Sequence, residues 1–258
     1  MQEILTQLQQ GVLTITLNRP QVFNSFNRSM ALALHDALDH AKNNPEVRCV
    51  VIKGEGKAFC AGQDLSEAID PAGPGLPNIV HEHYNPIIRR IRALEKPVIA
   101  AVNGVAAGAG ANIALACDLC VARESASFIQ AFSKIGLVPD SGGTWFLPRL
   151  IGMQRATALA MLGDKVSATE AASMGMIFKA IADELFEGEI ETLANRLANM
   201  PTAALGMTKM AFNKAFENTL EEQLQLEGDL QTKAGQSHDY QEGVAAFLEK
   251  RPAVFIGR

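Results

Sequence analysis

"PVIAAVNGVAAGAGANIALACDLCVA", residues 97–122, is the stretch on which the fold turns. Its length and apolarity would let it pass for a membrane span, which needs about 20 apolar residues. Asn103, Asn112 and Asp118 interrupt it, however, and its apolar residues are mostly alanine and glycine with valine. The run reads better as a buried strand (97–104), a glycine-rich turn and a close-packed helix. Its closing "LCVA" is strand-like again.

A strand, turn and helix at the centre predict the same alternation on either side. Upstream, "VLTITL" (12–17) alternates apolar residues with threonine, as a half-buried strand does, and Asn18-Arg19-Pro20 stops it. From Arg28 to Asn43 the spacing is helical, with Leu34, Ala37, Leu38 and Ala41 on one face. "CVVIKG" (49–54) reads as a second buried strand that runs into glycine and then a helix, and another helix is expected around 80–95. Downstream, residues 155–162 are helical, and Ser167 and Glu170 form a capping box in a helix that Gly175 closes. Past about residue 185 only amphipathic helical patterns remain. "DPAGPGLPN" (70–78), with three prolines and two glycines, is expected to be irregular.

The 258 residues suffice for one large domain, or one domain with an appendage. A net charge of −5 and a pI near 5.6 argue against a nucleic-acid or anionic-membrane surface, which needs clustered Lys and Arg. No basic and apolar leader opens the chain, so no secretory signal is expected. Cys49, Cys60, Cys117 and Cys120 are too few to suggest a disulfide framework. The Cys117-x-x-Cys120 spacing has no second pair or histidine cluster for zinc, and buried thiols are a better reading than a redox pair. A reducing, cytoplasmic location is the expectation.

Three glycine-rich turns carry the chemistry: "KGEGKAFCAGQDL" (53–65), "NGVAAGAGAN" (103–112) and "GLVPDSGGT" (136–144). The first lacks both the Gly-Lys-Ser/Thr ending of a nucleotide loop and the third glycine of the dinucleotide fingerprint. Such turns do expose backbone N–H groups at helix starts, and two of them converging would form an oxyanion hole. Tight helix-on-sheet packing explains the same glycines. In the third turn Asp140 can cap a helix beginning near Ser141 or act as a base. The residues alone leave both pairs of readings open.

Together, "KAFCAGQDL", "KPVIAAVNGVAAGAG" and "GLVPDSGGTWFLPRLIG" resemble the signature blocks of the crotonase (enoyl-CoA hydratase/isomerase) superfamily. "LNRPQVFNSFN" and "DYQEGVAAFLEKRPAVF" match its flanking blocks, so the resemblance spans the chain. It implies an α/β fold, a crotonase-like spiral of ββα units over 1–195 with a C-terminal helical trimerisation region over 196–258. It also implies a coenzyme A thioester as substrate, with no separate cofactor and no metal. The family's two oxyanion-hole amides fall on Ala61 and Ala109, the latter where glycine is usual. The adenine end of coenzyme A would lie along Ala61, Gly62, Gln63, Asp64 and Leu65 and near Ser25.

Family hydratases carry two glutamates at the positions of Asn112 and Phe132. Neither residue here can exchange a proton, so hydration is not expected. Asp140 matches the site where isomerase branches place their aspartate. Burial against Trp145–Leu147 or Phe132 would raise its pKa from the usual value near 3.9. "FCAGQDL", "YNPIIRRI" and "AFSKIGLVPDSGGTWFLPR" are similar to a branch that isomerises ring epoxides, which implies conversion of 1,2-epoxyphenylacetyl-CoA to an oxepin thioester. A Δ3,Δ2-enoyl-CoA isomerase and an aryl-CoA dehalogenase are the alternatives. The resemblance further implies a homotrimer or a dimer of trimers, and leaves association with other enzymes of phenylacetate breakdown open. His81 and His83 are expected on solvated surface.

Overall fold

The computed structural model describes residues 2–258. Its first strands, β1 (Ile4–Gln9) and β2 (Val12–Leu17), form an antiparallel hairpin, and α1 (Arg28–Asn43) packs beneath them. The Asn27 side chain caps α1 by accepting the Met30 amide at 2.8 Å, which contributes about 1 kcal/mol. Met30, Ala31, Leu34, Ala37, Leu38 and Ala41 form its buried stripe.

A repeated unit follows. β3 (Cys49–Gly54) joins the larger sheet, and β4 (Ala58–Cys60) turns away into a smaller one before α2 (Leu65–Ala68), α3 (Gly75–Asn78) and α4 (Asn85–Ala93). Next, β5 (Val98–Val102) and β6 (Val105–Ala107) lead into α5 (Ala109–Ala116). β7 (Leu119–Arg123) and β8 (Ser127–Ile129) precede α6 (Gly143–Ile151) and α7 (Met153–Leu162). β9 (Lys165–Ser167), α8 (Ala168–Ser173) and β10 (Lys179–Ile181) close the body. The larger sheet runs β1-β2-β3-β5-β7-β10 and the smaller β4-β6-β8-β9, so each turn of the chain adds one strand to each. The sequence pattern had each buried strand running through glycine straight into a helix. The short second strands β4 and β6 intervene instead.

Both faces of the larger sheet are covered, which explains the unbroken apolar run of "CVVI". Val50 and Ile52 face the main core with α1, α4 and α5, while Cys49 and Val51 face a second cluster. That cluster is closed by Phe186, Ile190, Ala194 and Ala198 of α9 (Phe186–Ala198). A division at 195/196 would cut this helix. α10 (Thr202–Lys214), α11 (Leu220–Ala234) and α12 (His238–Glu249) follow. Arg48 ties the chain end to the body through Thr202, Met200 O and Phe255 O, at 2.9, 2.6 and 2.7 Å. Residues 97–122 are β5, β6, α5 and the start of β7, and among the described residues no helix is long and apolar enough to cross a membrane.

The 70–78 segment departs from expectation. Its last residues form α3, which continues as a π turn over Ile79–Tyr84 into α4. Pro77 sits in the first turn of α3, where a backbone N–H has no intrahelical acceptor, so its missing hydrogen costs nothing there. The capping box at Ser167 and Glu170 forms as the pattern predicts.

Candidate active site

The start of α5 is where the three glycine-rich turns meet. β4 pairs with β6, so the turn leaving β4 lies against the turn that leads into α5. Gly62 makes this approach with φ +95°; a β-carbon there would sit 3.1 Å from Ala107 O and 3.6 Å from Ala109 N. Gly110 packs closer still, where a β-carbon would sit 2.5 Å from the Cys60 carbonyl oxygen. Tight packing and donor exposure, the two readings of these glycines, therefore coexist.

Backbone pairing settles which amides are free. The turn forms a parallel bridge between Phe26 and Gln63: Phe26 N–H donates to Gly62 O at 2.7 Å and Asp64 N–H to Phe26 O at 2.8 Å. In that geometry the N–H of Gln63 points away from Phe26. Among the described residues it has no backbone or side-chain acceptor. Ala109, the first residue of α5, likewise has an N–H with no helical partner, at the positive end of the helix dipole. The expectation for Ala61 needs correction. Its amide is spent on Phe23 O at 3.0 Å, and Gln63, two residues on, presents the free donor.

Asp140 reaches the same region from the other side. The chain passes through left-handed conformations at Ser141 (φ +51°) and Gly142 (φ +74°) before α6 begins at Gly143. The Asp140 side chain caps no helix; its backbone carbonyl accepts the Gly143 amide at 2.8 Å instead. The helix starts two residues later than the pattern suggested, and the capping reading of Asp140 falls. The carboxylate is half-buried and accepts the Ser141 hydroxyl at 2.9 Å on Oδ1. Burial raises its pKa above the ordinary value, against the pull of that hydroxyl and of its own amide.

Asn112 holds this turn against α5. It is fully buried, donates from Nδ2 to Asp140 O at 2.9 Å, and accepts Gln130 Nε2 on Oδ1 at 2.8 Å. Phe132, also buried, lays its ring on Gly108, where a β-carbon would lie 3.8 Å from Cζ. Neither residue offers a titratable group. The carboxylates that follow β4 are engaged: Asp64 caps α2 and pairs with Arg19 Nη2 at 2.9 Å, and Glu67 accepts the Arg28 amide. The Asp64 carboxylate is thus committed within the fold, as are the Gly62 carbonyl and the Ala61 and Asp64 amides. Ser25 is buried with its carbonyl on Arg19 Nη1 at 2.6 Å, and Leu65 is exposed.

The four cysteines are buried free thiols. Burial pushes Cys49, Cys60 and Cys117 up to about 12 and Cys120 well above its usual value, so none is a nucleophile. Among the described residues no cluster of His, Cys, Asp or Glu could hold a metal ion. His81 is exposed as expected, but His83 is buried in the π turn, where its carbonyl accepts His35 Nε2 at 2.8 Å. The role of the Gln63 amide and the clip formed by Asn112 and Gln130 carry no local sequence signal, because both depend on partners distant along the chain.

Comparison with known proteins bears on this geometry. The profile of the enoyl-CoA hydratase/isomerase family matches residues 7–258. A relative from Escherichia coli K12 named 1,2-epoxyphenylacetyl-CoA isomerase is 49% identical over 261 residues, covering 100% of both chains. One from Rhodobacter capsulatus, named a probable enoyl-CoA hydratase, is 48% identical over 98% of this chain and 97% of its own. The crystal structure of an enoyl-CoA hydratase from Bacillus anthracis superimposes with a TM-score of 0.92 at 33% identity over the whole of both chains (100%).

Proposed function

The chain belongs to the enoyl-CoA hydratase/isomerase family, and within it we propose an isomerase that shifts one proton of a coenzyme A thioester using Asp140 as its only acid–base group. The observation that carries this reading is the half-buried Asp140 carboxylate, excluded from the helix cap and raised in pKa, on a turn that Asn112 clips to α5, the helix whose first amide is free. The Gln63 and Ala109 N–H groups hold the thioester oxygen while Asp140 takes the α-proton, so that negative charge develops on oxygen as an enolate. One such donor is worth about 2.7–4 kcal/mol in related chemistry. The proton then returns to another carbon of the conjugated system. Addition of water needs a second group to activate it, and Asn112 and Phe132 supply none.

The substrate is 1,2-epoxyphenylacetyl-CoA. Its ring epoxide opens by electronic rearrangement to the seven-membered oxepin, and the proton moves from the side-chain α-carbon onto the ring; no atom is gained or lost. Support comes from the 49% identity to the E. coli isomerase and from Phe132, an aromatic face over Gly108. The same reading has the chain assemble as a trimer or paired trimers. Phe212, Phe247 and Leu248, exposed on its last helices, and Phe216 in the turn after α10 support that, and sedimentation at single-chain mass would contradict it.

Mass spectrometry of products from 1,2-epoxyphenylacetyl-CoA, beside a 3-enoyl-CoA of similar size, tests the proposal. The expected result is a new species of unchanged mass, separated from its substrate by liquid chromatography and formed faster from the epoxide. Faster turnover of the 3-enoyl-CoA would instead favour a fatty-acyl isomerase, and a product heavier by one water would mark a hydratase.

A further inference from the structure

Tyr84 is a fully buried phenol that the reaction above does not use. It ends the π turn before α4, with its ring edge-on to Phe26 at 5.8 Å between centroids. Phe26 is the residue whose backbone bridges Gln63. The Tyr84 hydroxyl donates to Gln63 Oε1 at 2.8 Å. From the other end of the same side chain, Gln63 Nε2 donates to Glu67 Oε2 at 3.0 Å. Both Glu67 oxygens in turn accept the Arg28 amide at the start of α1, at 2.9 and 3.1 Å.

The residue with the free N–H is therefore gripped at both polar ends by groups from separate elements. Its peptide lies in a turn beside Gly62, where φ is +95° and the backbone has more freedom than in a strand. A donor aimed at a developing oxyanion must be held within about 0.5 Å, which loops do not achieve without a supporting shell. The tether supplies that shell: with Oε1 and Nε2 both fixed, the glutamine cannot rotate without breaking a part-buried hydrogen bond. Burial also raises the Tyr84 pKa well above its usual value, so the phenol stays a neutral donor.

We infer that Tyr84 is a positioning residue, whose hydroxyl acts through the Gln63 side chain to hold the Gln63 amide in line with that of Ala109 for the thioester oxygen. The inference rests on the proposed thioester chemistry. Tyr84→Phe keeps the ring on Phe26 and removes only the hydroxyl; Gln63→Met removes both ends of the tether and keeps the amide. Each is expected to lower kcat by about fivefold with KM little changed. Each should also slow exchange of the α-hydrogens of phenylacetyl-CoA in heavy water to the same degree. The infrared stretch of the bound thioester carbonyl, lowered in the wild type by the two donors, should move back towards its solution frequency.

Tyr84→Phe protein with wild-type kcat, exchange and carbonyl stretch would overturn the inference alone. So would a fall in rate that tracks lost thermal stability while the carbonyl stretch stays as in the wild type. Wild-type protein that exchanges no α-hydrogen would overturn the enolate reading, and the inference with it.

Discussion

Asp140 places its carboxyl where burial disfavours the charged form. Because burial raises its pKa above 3.8, the folded chain binds this proton more tightly than the unfolded chain does. Its contribution to stability is therefore best at low pH and declines as pH rises from the unfolded value through the folded one. Asp140→Asn should raise the melting temperature at neutral pH, with the gain shrinking below the ordinary carboxylate range; calorimetry at several pH values checks it. The same shift sets the rate profile. A base must be ionised, so the acid limb of kcat/KM should lie above the ordinary aspartate value. Ser141→Ala removes a hydrogen bond that favours the charged form, and should move that limb higher still. At this scale the residue types were legible in the sequence and their pairings were not. The carboxylate stood out at Asp140, but its failure to cap follows from the left-handed step at Ser141. Which amide is free depends on Phe23 and Phe26, far earlier in the chain, so the family resemblance points to Ala61 while the fold leaves the open donor on Gln63.

Between elements, Asn112 sets the distance from α5 to the turn that carries Asp140. Asn112→Leu keeps the volume but leaves the Asp140 carbonyl short of a donor and Gln130 Nε2 without its acceptor. It should destabilise the fold by about 1–3 kcal/mol and lower kcat more than it changes KM, as read by urea unfolding and steady-state kinetics. Unchanged kcat in a destabilised protein would assign Asn112 to packing alone. Elements whose signals are local were readable. β2, β3 and α1 begin and end where the alternation, the glycine and the apolar stripe place them. The three-residue strands β4 and β6 were not, because so short a segment beside glycines has no period to detect. Prolines hid α3 for a related reason: composition counts them against a helix, while position in a first turn excuses them.

Across the whole molecule, the family blocks made the spiral legible, since composition and period report each unit but not which sheet a strand joins. The join between body and C-terminal helices rests on a charged cluster that no sequence pattern marked. Lys209 of α10, nearly buried, donates to Asp118 Oδ2 at 2.7 Å, and Arg92 of α4 meets Oδ1 at 3.0 Å. Burial lowers the Lys209 pKa in spite of Asp118, so the pair is retained against desolvation. Asp118→Ala would strand two cations and should destabilise the chain by about 3 kcal/mol in urea unfolding. The site itself depends on all three scales, and Asp140 is where they meet. The most direct measurement is turnover of 1,2-epoxyphenylacetyl-CoA by Asp140→Asn protein beside the wild type, with the isomeric product resolved by liquid chromatography and identified by mass spectrometry. The expected result is a folded protein whose kcat is lower by about 10²–10⁴-fold. A folded variant that still forms oxepin thioester within about threefold of the wild-type rate would contradict a single-carboxylate isomerase.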